Sequence, residues 1–213
     1  MSLLITFEGG EGSGKSTQAG MLYRRLAKFN IPCILTHEPG GTRLGEEITS
    51  ILKWNKNVKI SPLAEVFLFN VSRAELMNEV INPALKEGKV VICDRFTDST
   101  LAYQSYGRGL PLEDVREAND VATSGLKPSL TVLIDSPIAL GFERKRKEAP
   151  DRFQAEAKEF HERVRQGFLE IASREKERFL VVDGTKSIEA IHELIWEKVS
   201  GLLSSHGYEL KKE

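Results

Sequence analysis

The sequence predicts an α/β fold: a five-stranded parallel sheet with helices on both faces. Five short apolar runs, SLLITF (2–7), IPCILTH (31–37), KVVICD (89–94), LTVLID (130–135) and FLVVD (179–183), lack the polar alternation of a half-exposed strand. Stretches of helical pattern separate them, as the crossovers of a parallel sheet require. No repeat, low-complexity tract or Pro/Ser linker breaks the alternation, so one domain over residues 1–213 is expected.

Helices are expected near 15–29, 44–54, 62–86, 98–106, 112–124, 137–147, 152–176 and 187–204. With 40% hydrophobic and 29% charged residues the chain has the balance of a soluble globular protein. Thirty Lys and Arg against 31 Asp and Glu create no global basic field, which argues against a nucleic-acid polymer as partner. The opening MSLLITF is too short for a signal segment, and no apolar run approaches the roughly 18 residues of a membrane span, so no membrane partner is expected. Cys33 and Cys93 lie singly in strand-like runs and read as small buried hydrophobes, which makes a reducing cytoplasm the expected compartment. The histidines, His37, His161, His192 and His206, show no ligand spacing and are expected at surface or loop positions.

The first strand runs into EGGEGSGKST (8–17), a full G-x-x-x-x-G-K-[ST] string from Gly9 to Ser16 followed by a helical pattern. Gly9, Gly10, Gly12 and Gly14, with Ser13, let backbone N–H groups turn inward around phosphates, and the helix N-terminus adds its positive end. Lys15 is placed to reach the β- and γ-phosphates, and the Ser16 hydroxyl, ahead of Thr17, to ligate Mg²⁺. Glu11 is the odd member, a carboxylate in a loop built for anions.

Three later segments bring chemistry to the same end of the sheet. HEPGGTR (37–43) follows the second strand, with Glu38 at its carboxyl end and a turn at Pro39, Gly40 and Gly41. In LAEVFLFNVSRAEL (63–76), Phe69 and Arg73 share one apolar helical stripe; an arginine there needs a buried acceptor, and ring plus guanidinium make a platform for a base. KVVICDRF ends a strand on Asp94, suited to Mg²⁺, beside Arg95, suited to bidentate phosphate binding. Farther on, ERKRKEAPDR (143–152) reads either as a solvated turn or as a short mobile lid carrying cations to phosphate.

GGEGSGKST, HEPGGT, LFNVSRAE, DRFTDSTLAYQ and the basic RKRK segment occur in this order over most of the chain, and the set closely resembles the thymidylate kinase family. The resemblance implies the three-layer P-loop kinase fold, transfer of phosphate from ATP to dTMP toward dTTP synthesis, and a homodimer. It assigns the ATP site to the loop from Gly9 to Thr17 with Asp183, in VVDGT (181–185), near the adenine. It gives the acceptor segments as 37–43, 66–76 and 94–104. There Glu38 and Pro39 form a loop wall, Phe69 stacks on thymine, Arg73 bonds its carbonyl edge and Arg95 clamps the phosphate. Ser99, Thr100 and Gln104 line the base pocket, Tyr103 faces C2′ of the sugar, and Glu11 looks toward the sugar hydroxyl. Some members carry an arginine directly after the P-loop acid; Gly12 matches the form that takes arginines from the lid, which makes Arg144 and Arg146 the expected transition-state cations and Arg152 a weaker one. A deoxynucleoside kinase, using Glu38 as base toward a 5′-hydroxyl, is the nearest alternative. A nucleotide-dependent switch lacks its guanine-reading N-K-x-D string, since WNKNVKI has Val58 in the Asp position.

Overall fold

In the computed structural model, β1 (Leu3–Glu8), β2 (Cys33–His37), β3 (Val90–Asp94), β4 (Leu130–Asp135) and β5 (Phe179–Asp183) form one parallel sheet in the order β2-β3-β1-β4-β5. The described residues are 3–55, 58–146 and 149–210, so Ser2 of the first apolar run, Lys56 and Asn57, and Lys147 and Glu148 of the basic segment lie outside them. Leu3 pairs with Val90 and Phe7 with Asp94, while Ile5 pairs with Leu130 on the other side. Alternate residues feed the two faces. Leu3, Ile5, Phe7, Val90 and Ile92 pack with Leu22 and Leu26 of α1 (Lys15–Lys28) and Ile195 and Val199 of α9 (Ile188–Ser205). Leu4, Val91 and Cys93 pack with Leu76, Met77 and Ile81 on the opposite face, which is why these strands carry no polar alternation.

Between α1 and α9 the chain forms α2 (Arg43–Lys53), α3 (Pro62–Leu76), α4 (Asn82–Lys86), α5 (Thr97–Thr100), α6 (Leu112–Thr123), α7 (Ile138–Lys145) and α8 (Lys158–Arg174). Three starts are written in side chains: Thr42, Ser61 and Ser187 accept from the backbone N–H of Gly45, Ala64 and Ala190. The helical pattern over 62–86 is continuous but not all α. Met77–Ile81 is a π turn in which the Asn82 N–H reaches back to the Met77 carbonyl, just before Pro83, which has no N–H to give. A second π segment, Leu101–Gly107, follows α5.

Three expectations are corrected. The helix expected from 152 starts at Lys158; before it stands a single turn, in which Asp151 Oδ1 caps the N–H groups of Phe153 and Gln154 (2.9 and 2.8 Å) and the Ala155 N–H bonds the Asp151 carbonyl. Cys93 is buried, but Cys33 is only half-buried, since β2 is an edge strand. His161 and His192 are buried rather than superficial. The His161 ring stands edge-on to Phe142 and Phe160.

The carboxyl ends of β1, β2 and β3 lie side by side. The pairing even outlasts the strands: the Glu38 N–H bonds the Asp94 carbonyl at 3.0 Å and the Arg95 N–H bonds that of Phe7 at 2.9 Å. The P-loop leaves β1 at this edge and is pressed against α7. Gly12 has φ +65°, and a Cβ placed on it would run into the Gly141 carbonyl. Gly141 in turn has no room for a Cβ beside the Glu11 carbonyl. Gly12→Ala is expected to lower Tm, with at least ~1 kcal/mol lost to the left-handed backbone alone. Gly10→Ala, whose Cβ would meet no atom within 4 Å, is expected to leave Tm unchanged; thermal denaturation followed by circular dichroism checks both.

Candidate active site

A cleft of about 920 Å³ opens over the carboxyl ends of β1, β2 and β3. Although the whole chain carries a formal net charge of −1, seven cationic side chains line this cleft against four carboxylates. Among the described residues, the cavity therefore carries an excess of positive charge in an otherwise balanced protein, which suits anions.

On the P-loop side, Lys15 is buried and its ammonium donates to the Gly10 carbonyl at 2.7 Å. Burial and the Arg95 cation push Lys15 down to about 8, against the pull of Glu11, Asp94 and Glu8. Ser16, in the first turn of α1, donates its hydroxyl to Asp94 Oδ2. Gly12, Ser13, Gly14 and Thr17 line the cleft with them. Gly9 and Gly10 act through their carbonyls, which accept from Arg95 (3.3 Å) and Lys15.

Glu11 turns across the cleft. Its Oε1 accepts from Arg95 at 2.7 Å and from the Tyr103 hydroxyl at 2.9 Å, and its Oε2 lies 3.4 Å from both Lys145 Nζ and Gln154 Nε2. Burial alone would raise this carboxyl; Arg95, Lys15, Lys145 and the Tyr103 hydroxyl outweigh it and hold Glu11 well below the ordinary carboxylate range.

Arg95 has φ +70°, a backbone conformation that few non-glycine residues adopt. Glu8 holds it there. This fully buried carboxylate accepts from the Phe96 N–H (2.8 Å), the Ser99 N–H (3.2 Å) and the Ser99 hydroxyl (2.5 Å), and Ser99 Oγ accepts from Arg95 at 3.0 Å. Burial and the neighbouring Asp98 push Glu8 up to about 8, against the hydrogen bond from Ser99 and the Arg95 charge.

Arg73 has the buried acceptor that its apolar stripe demanded, and more. Its Nε and Nη2 reach Glu38 (2.9 and 2.6 Å), Nη1 reaches Asn70 and Asn119, and Nη2 also reaches Thr100. All five of its N–H donors are committed inside the protein. Contact with a base would mean exchanging or sharing one of these bonds. Pro39 lines the wall beside Glu38. Phe69 is half-buried and forms a tilted pair with Phe153 (centroids 5.7 Å apart) on the cleft wall. Gln104 donates to Glu65, while its Oε1 is buried and without a hydrogen-bond partner among the described residues.

The lid side divides its cations. Arg144 donates to the carbonyls of Gly12 (3.3 Å) and Gly184 (3.1 Å), so it bridges the P-loop and the loop after β5, and Lys145 lines the cleft beside it. Arg146 is exposed and lies outside the cleft lining. Arg152 is turned to structure instead: it bonds the Leu52 carbonyl (2.8 Å) and Glu65 (2.7 Å), not Asp151. Asp183 also faces away, binding the Thr185 N–H and hydroxyl of its own turn, while Gly184 and Lys186 face the cleft.

A thymidylate kinase family profile matches residues 7–195. The chain belongs to the thymidylate kinase family. It is 55% identical to the thymidylate kinase of Dehalococcoides mccartyi (strain ATCC BAA-2266 / KCTC 15142 / 195), covering 95% of this chain and 98% of that one. It is 46% identical to the thymidylate kinase of Pelobacter propionicus, over 93% and 94% of the two chains. The crystal structure of thymidylate kinase from Ehrlichia chaffeensis superposes with a TM-score of 0.76 at 34% identity, covering 93% of this chain and 98% of that one. Within this thymidylate kinase fold, Lys145, Phe153 and Lys186 line the cleft, and Glu8 and Gln154 bond to residues that do; the sequence singled out none of the five. Glu8 looked like the end of an apolar run, and only its place directly before the P-loop hinted at more.

Because phosphate binding favours the charged form of Lys15, the bound ammonium titrates higher than the free one. Triphosphate affinity is therefore expected to hold below about pH 8 and to fall as pH rises above it, with proton uptake on binding. Calorimetry in buffers of different ionisation enthalpy reads that uptake directly.

Proposed function

We propose that the chain transfers the γ-phosphoryl group of ATP to dTMP, giving dTDP and ADP. The reading is carried by one cavity that joins the P-loop and Lys15 to Arg95, Gln104 and the Phe69–Phe153 wall. Donor and acceptor are both anions, and the excess of cations offsets their repulsion. The acceptor phosphate has a second pKa of about 6, so it attacks as an oxyanion without a dedicated base. Lys15 holds the donor's β- and γ-phosphates and Arg95 the acceptor phosphate. Glu11 steers Arg95, Lys145 and Tyr103 rather than meeting ATP, which leaves its carboxylate on the sugar side. Tyr103 stands against C2′, Phe69 stacks on the base, and Gln104 Oε1 is free to accept from a pyrimidine N3–H. Arg144, tied to both nucleotide loops, is the better placed of the two lid arginines for charge developing on the transferred group. A lid closing over both substrates keeps water from competing for the phosphoryl group. Glu38 as a base toward a 5′-hydroxyl fits less well, since Arg73 occupies both its oxygens.

Ser16 and Asp94 suit magnesium. Asp94 Oδ1 is buried and unpartnered among the described residues, next to the Ser16 hydroxyl, and no cluster of three His, Cys, Asp or Glu competes there. The two residues would hold the ion together with water and phosphate oxygens. The ion would neutralise charge on the bridging phosphates.

With two unbridged cysteines, we place the reaction in a reducing cytoplasm; no helix among the described residues is long and apolar enough to cross a membrane. For assembly we propose a homodimer through α3. Leu63, Phe67 and Val71 form an exposed stripe at i, i+4 and i+8 on that helix, and Leu44 and Ile51 are exposed on α2, against which α3 packs, with Trp54 exposed directly after it.

A panel of nucleoside monophosphates offered with ATP and Mg²⁺ tests the activity: the highest kcat/KM is expected for dTMP, and turnover of thymidine alone would refute it. Phe67→Glu is expected to shift the sedimentation coefficient from dimer to monomer, and an unshifted dimer would sink the α3 interface.

A further inference from the structure

Lys53, in the last turn of α2, lines the same cleft. A lysine at a helix C-terminus ordinarily serves the helix dipole from solvent. Lys53 is instead half-buried, and its charged neighbours are Arg95, Lys145, Asp151 and Glu11. Burial, with the Arg95 charge, lowers the affinity of its ammonium for a proton. The nearby carboxylates balance it only in part: Glu11 is already drawn to Arg95 and Tyr103, and Asp151 Oδ1 accepts from the amides of Phe153 and Gln154. Its backbone is pinned as well. The Lys53 carbonyl accepts from the Arg152 N–H at 3.1 Å, and Arg152 is fixed by Leu52 and Glu65, so α2 presents Lys53 to the cleft from a rigid base. A cation that faces two others and is only partly balanced carries an electrostatic cost, relieved when a further anion enters between them.

We propose that Lys53 is a second cation for the acceptor's phosphate, acting beside Arg95 on the dianionic phosphate of a nucleoside 5′-monophosphate. The proposal rests on reading the Arg95 side of the cleft as the acceptor site. It divides the acceptor's charge between one planar guanidinium and one mobile ammonium, so that the phosphate is held from two elements, α2 and the loop after β3. A helix-capping role predicts something else: loss of Lys53 would weaken the fold and spare the distinction between charged and uncharged acceptors.

The test compares Lys53→Met, Lys53→Gln and Lys53→Arg with the wild type, using calorimetric Kd values for dTMP and for thymidine, which lacks the phosphate. Both neutral variants are expected to weaken dTMP about tenfold, the loss of one charge-assisted hydrogen bond. Thymidine affinity and the KM for ATP stay unchanged, and Lys53→Arg recovers most of the dTMP affinity. Equal loss for dTMP and thymidine, or no loss for dTMP in either neutral variant, overturns the proposal. A wild-type enzyme that binds dTMP but does not phosphorylate it would refute the assigned activity and leave the Lys53 comparison intact.

Discussion

The cleft depends on β1 and β3 being neighbours. The crossover that puts β3 beside β1 brings the P-loop and the Asp94-Arg95 pair to one edge, and the backbone ladder continues past the strands to fix both. One hydrogen bond, from the Arg95 N–H to the Phe7 carbonyl, ties the acceptor arginine to the strand that launches the donor loop. Glu8, the last residue of that strand, completes the link by gathering the Phe96 and Ser99 amides. The proposed donor and acceptor sites would thus be set at a fixed separation by the sheet rather than by flexible loops, which is what in-line transfer between two anions demands.

Charge inside the cleft is organised by pairing some cations and withholding partners from others. Arg73 and Glu38 neutralise each other deep in the wall, both almost fully buried, and their cost is offset by the further bonds to Asn70, Asn119 and Thr100. Glu11 collects Arg95 and Lys145 on the acceptor side. The remaining positive charge would face the second nucleotide of the proposed reaction. Glu65, buried among Gln104, Arg108 and Arg152, fastens the segment after the basic stretch to α3.

The strands were legible because burial on both faces removes polar alternation, and all five appear within two residues of their expected limits. Helices with side-chain caps were equally plain. What escaped was whatever depends on long-range partners. The π segments follow from packing and from Pro83, and the late start of α8 follows from a turn at Asp151 that resembles a charged helix end in sequence. In the site, the need of Arg73 for an acceptor was readable, but the identity of Glu38, Asn119 and Thr100 as its partners was not. Arg152 and Asp183 were read as cleft residues because their neighbours are; only geometry turns them away. Arg144 and Arg146 are equivalent on paper, but two positions are about half a helical turn, which sets Arg144 against the Gly12 carbonyl and leaves Arg146 outside the cleft lining.

The interlock of Gly12 with Gly141 bears on how this family could change its source of catalytic charge. Position 12 is where other members carry a loop arginine, yet here that space is filled by the backbone of the helix that carries the lid arginines. In this chain an arginine at position 12 would therefore require α7 to lift off the loop, so the P-loop and α7 are coupled in the residues they can accept.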